Sequence, residues 1–334
     1  GHAQLSLDEC RRLARENYPE IRQYDLVHQT EQYNLSNAAR AWIPQLAFSA
    51  QATWQTDAPN FPKELTGMLA QQGLEIPGLR KDQYKVALEL NQTIWDGGKS
   101  VADKRIARAE AAEQKTMTDV DLYELEGRVD DLYFGILLLD ERIAQTNLTL
   151  NLLRSNLEKV RALQRNGVAM QSDADVLEAE LLSVGQQLIQ FESSCDSYRR
   201  MLGIFIGQKV GDRKLQHPSA VQPLSGESAR PELAMFAAKI DRLTAQEKMV
   251  KSSSMPRLGF FAQGYYGYPG LDYMQSMMNN DWSWNAMLGV KLSWNFGAYY
   301  TQKNNLNKLR TSRQQVEVQR DVFLFNMNLQ AAQE

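Results

Sequence analysis

Ile43-Pro44-Gln45-Leu46-Ala47-Phe48-Ser49-Ala50-Gln51 returns 212 residues later, without a gap, as Met255-Pro256-Arg257-Leu258-Gly259-Phe260-Phe261-Ala262-Gln263. The proline, the leucine, the phenylalanine and the Ala-Gln pair coincide. In the same register Tyr18-Pro19-Glu20-Ile21 falls on Arg230-Pro231-Glu232-Leu233. A second block, Leu88 to Gly98, resembles Val290 to Gly297 at a slightly smaller shift, so the connecting loop shortens between the copies. Two copies of one supersecondary unit predict a pseudo-symmetric structure in which each copy buries what the other exposes. The unit reads helix, proline, strand, loop, strand, aromatic with glycine, long helix.

The hydrophobic period changes at the proline. Before it, Leu5 to Trp42 is helical in composition, with Leu13, Ile21, Leu26 and Leu35 set among Glu, Gln, Arg and Ala. Proline has no amide donor and disfavours the α region for its predecessor, so Pro44 and Pro256 are read as helix-to-strand switches. After Pro44, Leu46, Phe48, Ala50, Ala52 and Trp54 share one face and Gln45, Ala47, Ser49, Gln51 and Thr53 the other. Val86, Leu88 and Leu90 alternate with Lys85, Glu89 and Asn91, and the second copy repeats the pattern from Leu258 to Tyr266 and from Ala286 to Trp294.

Four strands of about ten residues, apolar on one side, match the dimensions of a transmembrane β-barrel. Alternation alone favours an ordinary half-buried sheet in a soluble domain. The aromatic residues favour the barrel. Trp54, Trp95, Tyr265, Tyr266, Tyr268, Trp282, Trp284 and Trp294 gather at strand ends, where a bilayer interface places amphipathic rings. Four strands cannot close around a lumen, so such a barrel requires several chains.

From Lys99 the sequence reads as helix for about sixty residues, with apolar positions at Leu122, Leu125, Val129, Leu132, Ile136, Leu139, Ile143, Leu150, Leu153, Leu157 and Val160. Steps of three and four are the seam of a coiled coil. Arg165-Asn166-Gly167 interrupts it, since glycine after a basic last turn stops a helix. The seam resumes through Leu177, Leu181, Val184, Leu188, Phe191, Cys195, Tyr198 and Leu202, giving a helical hairpin. Its arms would reach about 60 to 90 Å at ~1.5 Å per residue. Ser172-Asp173 is read as the N-cap of the return arm, a structural role for the acid.

Composition removes other classes. The 334 residues carry 37 Lys+Arg against 40 Asp+Glu, with no basic run, so no nucleic-acid partner is expected. The longest purely apolar runs, such as Ile136 to Leu139, fall far short of the ~18 residues of a spanning helix. Two cysteines and three histidines form no zinc spacing, and phosphate-loop and nucleophile-elbow motifs are absent, so neither an enzyme nor a bound metal or cofactor is expected. The start shows no charged segment followed by an apolar one, which predicts a cytosolic or already processed chain.

Taken together, these motifs resemble the TolC-type outer-membrane efflux family. The resemblance is carried by Ala41-Trp42-Ile43-Pro44-Gln45-Leu46, by Gln92-Thr93-Ile94-Trp95-Asp96-Gly97-Gly98, by Asn166-Gly167-Val168 with Asp175-Val176-Leu177-Glu178-Ala179-Glu180, and by Met255-Pro256-Arg257-Leu258. Trp294-Asn295-Phe296-Gly297 departs from the Gly-Gly pair of the first copy. It implies a mainly α fold with a small β part: long helical hairpins forming an α-barrel, and four antiparallel strands given to a trimeric transmembrane β-barrel. Repeat 1 would span 1–206, with a β-hairpin at 45–94 and a helical turn near 165–172. An equatorial linker would span 207–229, and an incomplete repeat 2 would span 230–334 with a β-hairpin at 257–296.

In function, the resemblance implies a homotrimeric exit duct in the outer membrane of a Gram-negative bacterium, with a periplasmic helical portion. It would be coupled to an inner-membrane transporter through a periplasmic adaptor protein that docks on the hairpin turn at Asn166, Gly167, Val168 and Ser172. Trp54, Trp95, Tyr266, Trp284 and Trp294 would meet the outer-membrane lipid at its interfaces. The segments from Thr56 to Asp82 and from Tyr268 to Asp281 would be extracellular loops. Cys10 and Cys195 would come near each other, which permits a disulfide in the periplasm, although Cys195 also fits the seam as a buried free thiol. By the repeat shift a second turn is expected near residue 367, beyond Glu334, so the sequence reads as part of a longer product whose acidic gate lies outside it. The alternative is a coiled-coil scaffold protein with a soluble β-subdomain.

Overall fold

The computed structural model describes residues 4–219 and 230–334. In chain order the elements are α1 (Leu7–Asn17), a 3-10 turn (Pro19–Arg22), α2 (Gln23–Arg40), β1 (Gln45–Trp54), α3 (Lys63–Gln71), β2 (Asp82–Trp95), α4 (Lys99–Arg165) and α5 (Gln171–Ile206). After residues 220–229, where part of the expected linker lies outside the described residues, come α6 (Pro231–Ser252), β3 (Arg257–Tyr268), α7 (Tyr273–Asn279), β4 (Ser283–Ser293) and α8 (Ala298–Gln333). The chain divides into two compact units, Gly1–Val27 with Glu113–Met235 and His28–Ala112 with Phe236–Glu334.

The second unit contains one antiparallel sheet in the order β1-β2-β3-β4. Cross-strand rows follow the alternation: Leu46, Leu90, Ala262 and Leu288 lie side by side, as do Phe48, Leu88, Gly264 and Ala286, and Ala50, Val86, Tyr266 and Trp284. β1 and β4 begin or end the sheet, and neither has a second partner among the described residues.

In the first unit the coiled-coil seam is the core. Val129, Leu132, Ile136 and Leu137 of α4 meet Cys195, Leu202 and Ile206 of α5 and Leu7, Cys10 and Ala14 of α1. Nearer the turn, Leu150, Leu153 and Leu157 are buried on the same stripe. Tyr133 is fully buried among them, and its hydroxyl donates to the carbonyls of Leu5, at 3.0 Å, and Gln216. Those two acceptors belong to a short parallel bridge between Leu5 and Leu215, closed by Leu5 N–H to Lys214 O at 3.1 Å and Gln216 N–H to Leu5 O at 2.9 Å. Both thiols, Cys10 and Cys195, are free and buried. Burial, followed by the charge of Glu9, pushes the Cys10 thiol up to about 11.

Several local expectations are corrected. The first helix is not continuous from Leu5 to Trp42: Tyr18 is extended before Pro19, which starts a new turn. Residues 19–40 thereby match α6, which also opens on its proline, Pro231. Both inter-strand segments contain a helix, α3 and α7, which short amphipathic stretches inside polar loops conceal. Ser172 is not the N-cap of α5. Met170 holds that position, and the Asp173 carboxylate accepts its N–H at 3.0 Å, so the acid does cap the arm, from the third helical residue. α4 has 67 residues, or ~100 Å, so the outgoing arm exceeds the expected reach while the 36-residue return arm, at ~54 Å, falls below it.

At the 3-10 turn, Glu20 shares a hydrogen bond with the Asp121 carboxylate of α4. That bond, then burial and the Asp121 charge, push the Glu20 carboxyl from its ordinary 4.5 up to about 7. A folded-state value above the unfolded one gives stability that is present in full below pH 4.5 and lost as pH rises through about 7. Glu20→Gln is therefore expected to raise the melting temperature at pH 8, by about 1–3 °C for a pair this close to solvent, and to leave it unchanged at pH 4. Equal melting temperatures for both proteins at pH 8, read by circular dichroism, would remove the coupling.

Candidate functional site

Two surfaces carry the sequence-predicted residues: the sheet, and the turn of the helical hairpin. On the sheet the apolar rows point to solvent. Phe48 is 71% and Leu288 73% exposed, and Leu46, Leu88, Val290 and Leu292 are exposed with them. A soluble half-buried sheet would hide these residues, so the ordinary sheet reading fails on this face. The opposite face carries Gln45, Ser49, Gln51, Lys85, Glu89, Asn91, Gln263, Asn285 and Lys291, and covers Ala87, at 2% exposure, beside Tyr265. Apolar outward and polar inward is the alternation of a barrel wall.

Aromatic rings mark both ends of the apolar face. At the loop end Trp54 and Trp284 are exposed, Tyr266 lies 4.8 Å from Trp284 and 5.3 Å from Trp282, and Trp282 stacks on Tyr84 at 5.5 Å. At the helix end stand Trp95 and, just past β4, Trp294, which donates its indole N–H to Ser254 O at 3.0 Å and packs on Phe296. Two of the grouped aromatics do not belong to this belt. Tyr265 falls on the polar face because it neighbours Tyr266, and its ring lies 4.7 Å from the Lys85 ammonium. Tyr268 is buried under the loops: its hydroxyl accepts the Arg80 N–H at 2.8 Å and lies 2.6 Å from the Asn280 amide.

Pro44 and Pro256 each stand immediately before a strand. Around them runs a layer of hydrogen bonds in which Trp42 donates its indole N–H to Ser100 Oγ at 2.9 Å and the Gln92 side chain donates to Trp42 O at 2.7 Å. Asp96, a residue to which the sequence pattern gives no role, is central here. Its carboxylate accepts the N–H groups of Gly98 at 2.9 Å and Ser100 at 2.8 Å, capping α4. Burial opposes the charge, but the bonds from Ser100 and Gly98 prevail and hold its carboxyl below the ordinary range. In the second copy Asn295 accepts one bond, from Gly297 N–H at 3.0 Å, and α8 has no side-chain cap. Gly97 has φ +74°, and a Cβ there would lie 2.9 Å from Met255 Cβ, so this turn accepts only glycine.

At the hairpin turn, Asn166, Gly167 and Val168 form a Schellman motif: Gly167 N–H bonds to Gln164 O at 3.0 Å and Val168 N–H to Leu163 O at 2.9 Å, with Gly167 at φ +80°. Val168 and Met170 are 74% and 72% exposed, and Ser172 is exposed on the first turn of α5. Met170 was missed because helical periodicity says nothing about a tip residue. Arg161 pairs with Glu178 across the arms just behind.

Comparisons with known proteins follow the same lines. The model of the outer membrane efflux protein family matches residues 11–207. The outer membrane protein VceC of Vibrio cholerae superposes with a TM-score of 0.69 at 15% identity, covering 96% of this chain and 75% of its own. The outer-membrane channel OprN gives 0.66 at 13% identity, with 95% and 71% covered. The CmeC outer membrane channel of Campylobacter jejuni gives 0.64 at 14%, with 96% and 68% covered. No curated protein matches the sequence.

A charge on the apolar face would be buried in lipid. Leu288→Lys, at mid-sheet, is expected to destabilise the membrane-inserted protein by about 2–4 kcal/mol, while Met287→Lys on the polar face changes it by less than ~1 kcal/mol. Unfolding of both variants in lipid vesicles checks this, and equal losses would reject the assignment of faces.

Proposed function

Since this chain belongs to the outer membrane efflux protein family, and so is an outer-membrane channel component of an efflux or secretion system, we propose that it acts as a homotrimer. Three copies would bring twelve strands together, with β4 of one chain beside β1 of the next. The single observation that carries this is the four-stranded sheet with an outward apolar face and two edge strands that have no second partner among the described residues. Unpaired backbone groups are not tolerated in hydrocarbon, so the edges must be closed by further copies. Trp54, Trp95, Tyr266, Trp284 and Trp294 then fall at the two lipid interfaces of the outer membrane of a Gram-negative bacterium.

On this reading the chain is two repeats, 1–206 and 230–334, joined by 207–229. The helices form the wall of a periplasmic duct. A periplasmic adaptor docks on the tip at Asn166, Gly167, Val168 and Ser172, with Met170 added because it is as exposed as Val168. An inner-membrane transporter supplies the energy, and the duct conducts without bond chemistry.

Planar-bilayer recording of the detergent-extracted protein, with its oligomer mass measured alongside, tests the proposal. Discrete conductance steps from a trimer are expected. A monomer that needs no detergent and leaves the bilayer silent would return the chain to a coiled-coil scaffold.

A further inference from the structure

One row of the polar face is covered. Ser49, Ala87, Tyr265 and Asn285 lie side by side across the four strands, opposite in facing to the apolar rows. Ala87 and Tyr265 are nonetheless buried. The segment directly after β3 lies against this row. The Tyr265 hydroxyl donates to Pro269 O at 3.3 Å, and Asn285 Oδ1 accepts the Leu271 N–H at 2.9 Å while its amide donates to Ser283 O and Oγ at 3.1 Å. A Cβ on Gly270 would run into Ser283 Oγ and lie 2.9 Å from Asn285 Oδ1, so the backbone passes close over these side chains. Positions 265, 283 and 285 alternate with Tyr266, Trp284 and Ala286 of the apolar face, so all three belong to the polar side. Tyr273 follows the same course, near enough to Tyr265 for the two hydroxyls to interact. The far end of the loop returns to the apolar side, where Trp282 stacks on Tyr84. It is therefore the stretch 269–273 that stands over the polar face. It is folded there, since Gly270 N–H donates to Ser276 Oγ at 2.9 Å and Asp272 caps α7 by accepting the Gln275 N–H at 3.2 Å. Leu271 and Tyr273 are exposed upon it.

We infer that this stretch is an inward ledge at the outer mouth of the duct: residues 269–273 of each copy stand on the lumen side of the barrel wall and narrow the exit, with Leu271 at the rim. The inference rests on the duct reading, in which the polar face is the lumen face. Backbone laid over a sheet face stands up to about 10 Å from it, the spacing of packed layers. Each further copy adds the same ledge at the same height, so the bore is reduced from three sides. Pore diameter is one of the properties that set which solutes pass, and the ledge acts on that property. Tyr265 and Asn285 are positioning residues here: they hold the ledge to the wall.

The test is cysteine modification of the complete protein in a planar bilayer, with a charged methanethiosulfonate added on the loop side. The native thiols of Cys10 and Cys195 are buried, so the unsubstituted protein is expected not to respond. Leu271→Cys is expected to lose conductance in up to three steps, by about half in total, and to lose more than Met287→Cys, which lies on the polar face at mid-sheet. Leu288→Cys, on the apolar face, is expected to stay unchanged. Adducts at Leu271→Cys, counted by mass, that leave conductance intact while Met287→Cys is blocked overturn the ledge and keep the duct. A larger loss at Met287→Cys than at Leu271→Cys does the same, and so does a Leu271→Cys thiol that takes up no reagent. If Leu271→Cys does not assemble, modified Tyr273→Cys, also an exposed position, must lower the conductance. A protein that never conducts removes the duct reading and the ledge with it.

Discussion

The four-stranded sheet turns one apolar face outward, and neither edge strand has a second partner among the described residues. A buried or lipid-exposed edge leaves backbone N–H and C=O groups without partners, and each such group carries a penalty of several kcal/mol in hydrocarbon. In the proposed ring, copies of the sheet close one another's edges and lipid covers the apolar face. The prolines stand immediately before β1 and β3, Asp96 caps the helix that follows β2, and the aromatic rings mark where the apolar band stops.

In the first unit the constraint is different, because the helices bury apolar surface against one another. The heptad stripe of α4 closes on α5 over the stretch where both exist, and Tyr133 adds a polar tie in the middle of that seam. A buried hydroxyl needs its partners, and here they are carbonyls of the Leu5–Leu215 bridge, which links the N-terminal segment to the start of the connection after α5. The seam thus fixes where two segments distant in sequence meet.

The two repeats are similar but not interchangeable. Gly97 allows the turn after β2 to lie against Met255, whereas Phe296 stands at the corresponding place after β4, exposed and packed on Trp294. Within one chain only the first turn has the other repeat beside it. In the proposed ring the second would face a neighbouring copy, and a large ring is a suitable residue for such a contact.

Much of this was written in local sequence. Periods of two and of three-and-four, prolines at the switches and a glycine after a basic last turn depend on backbone geometry within a few residues, so the strands after Pro44 and Pro256 and the turn at Gly167 were legible directly. The resemblance of one half to the other gave their order. What only the tertiary structure decided is whatever depends on partners far apart in the chain. Pairing of β2 with β3 joins the two repeats into one sheet, so the compact units cut across the repeat boundary. The fold also buries Tyr268 beneath the loops, and the pairing of β3 with β4 sets Arg257 and Lys291 as diagonal neighbours. Alternation specifies that a strand has two faces, but which residues neighbour each other across β2 and β3 is fixed by the pairing of two segments far apart in the chain.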